Sequence, residues 1–330
     1  MKIGRFCFTS AAVLILATGR GSPAAAAALD ALSADGVYTW RVPATDEAPA
    51  WCCYRWMHDS PIGGTCDLDS KEGAYGSVRD DLTLDGEAQI YVSIESGKPG
   101  HIRALSPQCR VTSRREIRDL GVVSTDESLA WLESQVRLYA RKAGDALAAI
   151  AIHRGSEALR YLSDLADSGP VTEIRKDAIF WLGQVRIGES SGELERLMSR
   201  DDNADIRQHA AFSLAQSAAP DRGAALIRQG HEDKDAEVRA QAWFWLAQTG
   251  LPGSEDAIRW ALANDRNEDV REQAVFALSQ LPDERNVDAL FAVLRNNQLP
   301  EDVRKQALFW LAQSDSDRAF EYLDGLLTRK

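Results

Sequence analysis

Outside its N-terminus this 330-residue chain has no run of the ~18 apolar residues that a membrane-spanning helix requires. Histidine is scarce, and His58, His101, His153, His209 and His231 stand apart, in no HExxH pattern. No CxxC pair and no phosphate-cradling glycine loop occurs. A basic excess is lacking too: 38 Lys and Arg stand against 50 Asp and Glu, a formal charge of −12. Phosphate backbones and anionic membranes are therefore poor partners. We expect no metal, no cofactor, no nucleic acid and no stable membrane insertion. Low complexity is confined to the alanine run at 24–28.

The N-terminus has the order of a secretory leader. Lys2 and Arg5 precede an apolar stretch from about Phe6 to Thr18, then Gly19, Gly21, Pro23 and the alanines. Residues 1–28 are expected to be removed on export, to the periplasm or the medium. Cys7 lies before the apolar core around Ala11–Leu16 and is no lipoprotein cysteine, which would follow it. Four cysteines remain, Cys52, Cys53, Cys66 and Cys109, an even number that in an exported chain implies two disulfides. A bond between the neighbours Cys52 and Cys53 would strain the peptide between them. One of this pair is expected to reach Cys66 and the other Cys109.

Residues 30–123 read as a small, disulfide-stapled, mainly β domain. Gly36–Val42, Trp51–Trp56 and Ala88–Ile94 have strand composition. Gly97-Lys98-Pro99-Gly100 reads as the turn into a partner strand, His101–Leu105. Ser124 with Glu127 three residues later is a capping box. It opens a connecting helix over 124–144, with apolar Leu129, Leu132 and Val136 in helical period.

From there an eleven-residue phrase recurs five times, beginning at Ile174, Ile206, Val238, Val270 and Val303, spaced 32, 32, 32 and 33 residues apart. A fixed period of this size marks a stacked repeat architecture. Ile174, Ala178, Trp181 and Leu182 fall on one helical face. An acid precedes each copy: Glu173, Asp205, Glu237, Asp269 and Asp302. Acids there complement the positive end of a helix. A shorter helix precedes each phrase, over Glu193–Met198, Ala224–Gln229, Glu255–Leu262 and Val287–Leu294.

The core [Ile/Val]-Arg-x-x-Ala-x-x-x-Leu with its preceding acid resembles the HEAT-repeat (armadillo-like) family, in particular the short bacterial type also found in phycobilin-lyase-like proteins. The resemblance covers 145–330, with a degenerate first repeat from about Gly144 to Gly169. It implies a mainly α chain, an α-solenoid of about five to six helix pairs that binds proteins.

Two columns depart from the family pattern. Each phrase carries Phe (Phe180, Phe212, Phe244, Phe276, Phe309) and, four residues on, Gln (Gln184, Gln216, Gln248, Gln280, Gln313). These share a face well off the core. A third column reads Trp181, Ser213, Trp245, Ala277 and Trp310. Packing between successive repeats accounts for the Phe column structurally; an aromatic and amide ladder for an extended peptide or partner helix is the functional account. The arginines Arg175, Arg207, Arg239, Arg271 and Arg304 are expected to pair with loop acids such as Asp202, Asp233 and Asp265.

Catalytic patterns are weak. Gly188-Glu-Ser190-Ser-Gly192 matches G-x-S-x-G but stands in what reads as a loop between helices, away from the strand–turn–helix elbow the chemistry needs. Asp67-Leu-Asp69-Ser-Lys71-Glu72-Gly73 begins like a calcium loop, yet has Lys71 and Glu72 where a ligand oxygen and a glycine belong. The chain is thus expected to be an exported, non-enzymatic scaffold or adaptor for a protein partner. The alternatives are a phycobilin-lyase-like or other enzyme using the solenoid groove, or a ligand-binding N-terminal domain supported by the repeats.

Overall fold

The computed structural model describes residues 29, 32–57, 60–70, 74–76, 85–139, 143–282 and 284–328. Residues 1–28, read above as a leader, His58 and the 71–73 portion of the calcium-like loop lie outside the described residues.

Among the described residues the N-terminal segment forms nine strands: β1 (Gly36–Pro43), β2 (Cys52–Met57), β3 (Ser60–Gly63), β4 (Cys66–Asp67), β5 (Ala74–Gly76), β6 (Glu87–Glu95), β7 (Lys98–Leu105), β8 (Val111–Thr112) and β9 (Ile117–Val122). The main sheet has the order β7-β6-β1-β9, with β9 parallel to β1 and the other pairs antiparallel. The β6–β7 turn is Ser96-Gly97, both at positive φ, with Glu95 opposite Lys98. Lys98, Pro99 and Gly100, read from sequence as turn, instead open β7, so the strand starts three residues before His101, because a two-residue turn of that hand matches the strand twist.

Alternation along β1 buries both faces of this sheet. Tyr38, Trp40 and Val42 face the helices, whereas Val37 joins Leu105, Cys53, Cys66 and Leu68 on the other side. The disulfides are Cys52–Cys109 and Cys53–Cys66, with Cα atoms 5.5 and 5.1 Å apart, so the adjacent cysteines do part toward the two distant ones.

Thirteen helices follow among the described residues: α1 (Thr125–Leu138), α2 (Gly144–Ile152), α3 (Ser156–Ser168), α4 (Thr172–Val185), α5 (Ile187–Arg200), α6 (Ala204–Gln216), α7 (Arg222–Glu232), α8 (Ala236–Thr249), α9 (Ser254–Asn264), α10 (Glu268–Ser279), α11 (Arg285–Arg295), α12 (Glu301–Ala312) and α13 (Asp317–Thr328). The Ser124–Glu127 capping box is formed at the start of α1. The five phrases are α4, α6, α8, α10 and α12. Each packs on the next and pairs with the helix before it, which makes a two-layer stack of hairpins. The helices preceding α6 to α12 outrun the spans expected for them; α5 starts at Ile187, and its 14 residues match α4.

Ile174, Ala178 and Leu182 are buried as the periodicity requires, but Trp181 leaves that face and Ile179 takes the core position instead. The same place is Trp243 in α8, and its ring fits because the facing residue is Gly230, where any Cβ would overlap the indole.

The arginine column ties hairpin to hairpin. Arg175 pairs with Asp201. Arg207 grips Asp233 through Nε and Nη2 at 2.8 and 2.9 Å, and Arg239 grips Asp265 in the same fork at 2.9 Å for both. Each also donates backward to a loop carbonyl, Arg207 to Asp201 O and Arg239 to Asp233 O, both at 2.9 Å. Asp202 gives Arg207 only its carbonyl, because the carboxylate in this place belongs to the residue that ends the preceding helix, Asp201.

The sheet and the solenoid share one hydrophobic core, running from Trp40 and Ile90 through α1 and α2 to the last repeats. At their junction Trp40 Nε1–H donates to Ser128 Oγ (2.9 Å). Ser128 meets His153 Nε2 at 2.8 Å, and His153 Nδ1 lies 2.6 Å from Ala149 O. A carbonyl only accepts, so the proton is on Nδ1 and Nε2 accepts the serine hydroxyl.

Candidate functional site

The Phe and Trp columns form a connected ladder of rings. Where the third column has Trp, that ring packs on the ring of the preceding repeat: Trp245 on Phe212 and Trp310 on Phe276, each at 4.8 Å between centroids. Where the column has a small buried residue, Ser213 or Ala277, the Phe rings stack directly. Phe180 and Phe212 lie 6.3 Å apart at 12°, and Phe244 and Phe276 lie 5.6 Å apart at 9°. Within a repeat each Trp meets its own Phe nearly edge-on, at 4.9 Å for Phe180–Trp181 and 4.7 Å for Phe244–Trp245. Such pairs contribute about 0.5–1.5 kcal/mol each beyond area burial.

Trp181 has no Phe behind it. Counting back 32 residues, α2 has Ala148 and Ala149 in the Phe and Trp places and Ile152 in the Gln place. This helix is buried from Ala146 to Ile152 and packs on β7. The missing ring is supplied by Trp51, 5.3 Å from Trp181.

A strap over residues 43–51 carries Trp51 there. Thr45 N donates to Ile152 O and Arg154 N to Pro43 O, both at 2.9 Å. The Glu47 carboxylate accepts the Gly188 N–H at the start of α5 (2.9 Å). Next to Trp51, Cys52 is anchored to Cys109, and Ser106 N donates to Trp51 O at 2.9 Å. Counting the period back from Phe180 marks the gap at Ala148, a signal the sequence carries; nothing local in sequence marks Trp51 as its filler.

The ladder rings are half-buried from Phe180 to Phe276, and Phe309 is 54% exposed. The amides lie beside them. Gln248 Nε2 donates to Gln280 Oε1 at 3.4 Å, while Gln184, Gln216 and Gln313 line the same edge. A groove of about 690 Å³ opens between α8 and α10, with Phe244 and Phe276 in its wall.

Several other groups singled out by sequence are engaged in structure. Ser190 sits inside α5, not in a loop; its Oγ donates to Leu182 O at 2.9 Å, and Glu47 seats the amide of Gly188. Asp69 accepts from the Arg114 amide, Ser113 Oγ and Arg115 Nε, which together hold its carboxyl below the usual range. His209 lies against Phe212 at 5.5 Å, and burial lowers its pKa. Three N-caps, Asn203, Asp235 and Asn267, hold the first turns of the central phrase helices. Their own 32-residue period is visible in the sequence.

Residues 223–312 and, overlapping them, 255–330 match the family model for HEAT repeats. No curated protein matches the chain. Among solved structures, human deoxyhypusine hydroxylase in complex with glycerol is similar at 18% identity over 57% of this chain and 72% of that one, with a TM-score of 0.31. The matched residues, 223–330, are similar to HEAT repeats, and the same phrase and the same stacked hairpins continue N-terminal to them from α4.

Proposed function

We propose that this protein is an exported scaffold that grips a protein partner along the phrase-helix face and performs no covalent chemistry of its own. One observation carries the reading: a ring ladder that starts on the buried Trp51 and runs to Phe309, whose rings from Phe180 onward pack on one another yet stay open along one side. Rings locked by their neighbours lose little entropy on binding and offer large contact area, which makes them efficient anchors. The amides alongside supply hydrogen bonds that a partner backbone can complete. The serine, aspartate and histidine that would be first choices for chemistry already serve the fold through Leu182, Arg115 and Ala149. Two disulfides fit an oxidising compartment, as the leader-like N-terminus does.

The test is a photo-crosslinker placed at Gln216 in the secreted or periplasmic fraction, with and without Phe244→Ala and Gln248→Ala. The expected result is one dominant adduct that the double variant loses while keeping its far-UV signal and Tm. Unchanged adducts with unchanged stability would sink the reading.

A further inference from the structure

The proposal below rests on the scaffold reading and names the chemistry of the partner. The phrase helices do not present the same electrostatic face in every repeat. In the first, Lys176 Nζ lies 3.8 Å from Glu173 and 3.9 Å from Asp205, so one lysine neutralises two of the column acids. In the last, Lys305 Nζ lies 2.9 Å from Glu301 and 3.8 Å from Asp302. The equivalent positions in the second, third and fourth repeats are Gln208, Ala240 and Glu272.

The groove between α8 and α10 is therefore lined by three carboxylates, Asp235, Glu237 and Asp269, and by no cation. Asp235 is committed to capping α8 through the amides of Glu237 and Val238. Glu237 and Asp269 are exposed. Beside them lie buried Ala240 and the half-buried rings of Phe244 and Phe276, stacked at 5.6 Å. The array thus carries its own counter-ions at both ends and leaves them out through the middle repeats, where this groove opens.

We propose that this groove seats an extended, basic and apolar segment of the partner protein, with a lysine or arginine at every third residue meeting Glu237 and Asp269 in turn. The spacing follows from geometry. Packed helices lie about 8–10 Å apart. An extended segment in the polyproline-II form advances about 3.1 Å per residue and returns every third side chain to the same face. A segment crossing the phrase helices therefore passes one helix every three residues. The alkyl stems of the basic side chains cover the phenyl rings while their charged heads stay with the carboxylates. A cation over a ring and beside a carboxylate gains from both.

The experiment titrates the intact protein with two nine-residue peptides, N-acetylated and C-amidated, read by calorimetry. One has lysine at every third position with leucine and serine between; the other has glutamate in place of each lysine. The lysine peptide is expected to bind at least about tenfold more tightly at low salt and to weaken as ionic strength rises. Ala240→Lys, which restores the counter-ion that Lys176 provides in the first repeat, is expected to weaken it about tenfold. Should that variant fail to fold, Glu237→Gln with Asp269→Asn alters only exposed side chains and is expected to act in the same direction.

Equal affinity for the two peptides, or a lysine peptide indifferent to both variants, overturns the proposal. So does a free protein that sediments as a dimer and dissociates with Glu237→Gln and Asp269→Asn, since a second copy would then own the groove. A crosslinked partner that depends on Phe244 while the lysine peptide fails to bind leaves the scaffold reading standing and removes only this inference.

Discussion

The two ends of the repeat stack are made of the same phrase and finished in opposite ways. At the first end the sheet covers α2, the strap crosses onto α4 and α5, and Trp51 fills the ring position that the degenerate repeat leaves empty. At the last end α12 has no following phrase helix among the described residues, and Phe309 and Phe320 are 54% and 72% exposed. A stacked array exposes core wherever it stops, so each end needs some device of its own. The difference teaches that the N-terminal segment is the first layer of the stack and no appendage: one hydrophobic core runs through both.

The comparison breaks most visibly at the arginine column. Arg239 is buried and holds Asp265 with two bonds of 2.9 Å, whereas Arg271 keeps its backward bond to Asp265 O (2.7 Å) and has no carboxylate ahead of it among the described residues. Removing one partner of a buried pair leaves the other charge uncompensated, at a cost of about 3–5 kcal/mol. Arg239→Ala is therefore expected to lower unfolding free energy by about 4 kcal/mol, and Arg271→Ala by less than about 1. Urea unfolding of the two variants side by side checks this. Equal losses would mean that the pairs do not distinguish the middle of the stack from its end.

Acid should act most strongly on the first end. Burial pushes the His153 pKa from 6.5 down to about 4, with Arg186 as a further cause. The folded state thus binds fewer protons than the unfolded chain between these values, so the stability held above pH 6.5 falls as pH drops toward 4. A shift of this size corresponds to about 3 kcal/mol. The local readout is amide exchange in α2 at pH 7 and pH 5, with His153→Gln as the control that removes the imidazole. Protection in α2 is expected to drop in the native protein and to change less in the variant; parallel behaviour would free His153 of this role.

Much of this contrast was legible in the residues. The five phrases fixed the period, hence the phrase layer, and the arginines followed as its ties. The capping box, the strand segments and the parting of Cys52 and Cys53 were readable because each rests on local stereochemistry. What escaped depends on distant packing. Trp181 has core spacing, yet its ring goes to Trp51, 130 residues away in the chain. Ser190 stood in an apparent loop because Gly188 and Gly192 disfavour helix, and the Glu47 cap and the Leu182 carbonyl override that preference. The family pattern carries no information about which repeats lack a lysine at the 240 place, although the sequence itself does.

A gain of function at the loose joint is smaller and more specific. The residue that ends α11 is Asn296, whose Oδ1 accepts the Gln298 N–H at 3.0 Å just as Asp265 accepts that of Asn267 at 2.9 Å. The position keeps the shape of the tie and lacks its charge. Asn296→Asp is expected to draw in Arg271 and raise stability by about 1 kcal/mol, seen as slower amide exchange in α11 and α12. No change there would show that the two-residue-longer loop before α12, and not the missing carboxylate, sets the joint.

The smallest effect belongs to the last ring. Phe309 touches Trp310 at 5.1 Å, and most of its surface already faces solvent. Phe309→Ala therefore forfeits little burial, and a stability change below about 1 kcal/mol is expected from the transfer of a half-exposed ring. Trp310 fluorescence should still shift, because its edge partner is gone while its contact with Phe276 at 4.8 Å remains. A larger loss, approaching the cost of a buried aromatic, would mean that something covers this end in solution. The stack would then be closed at both ends, and the asymmetry between them would lie only in what does the covering.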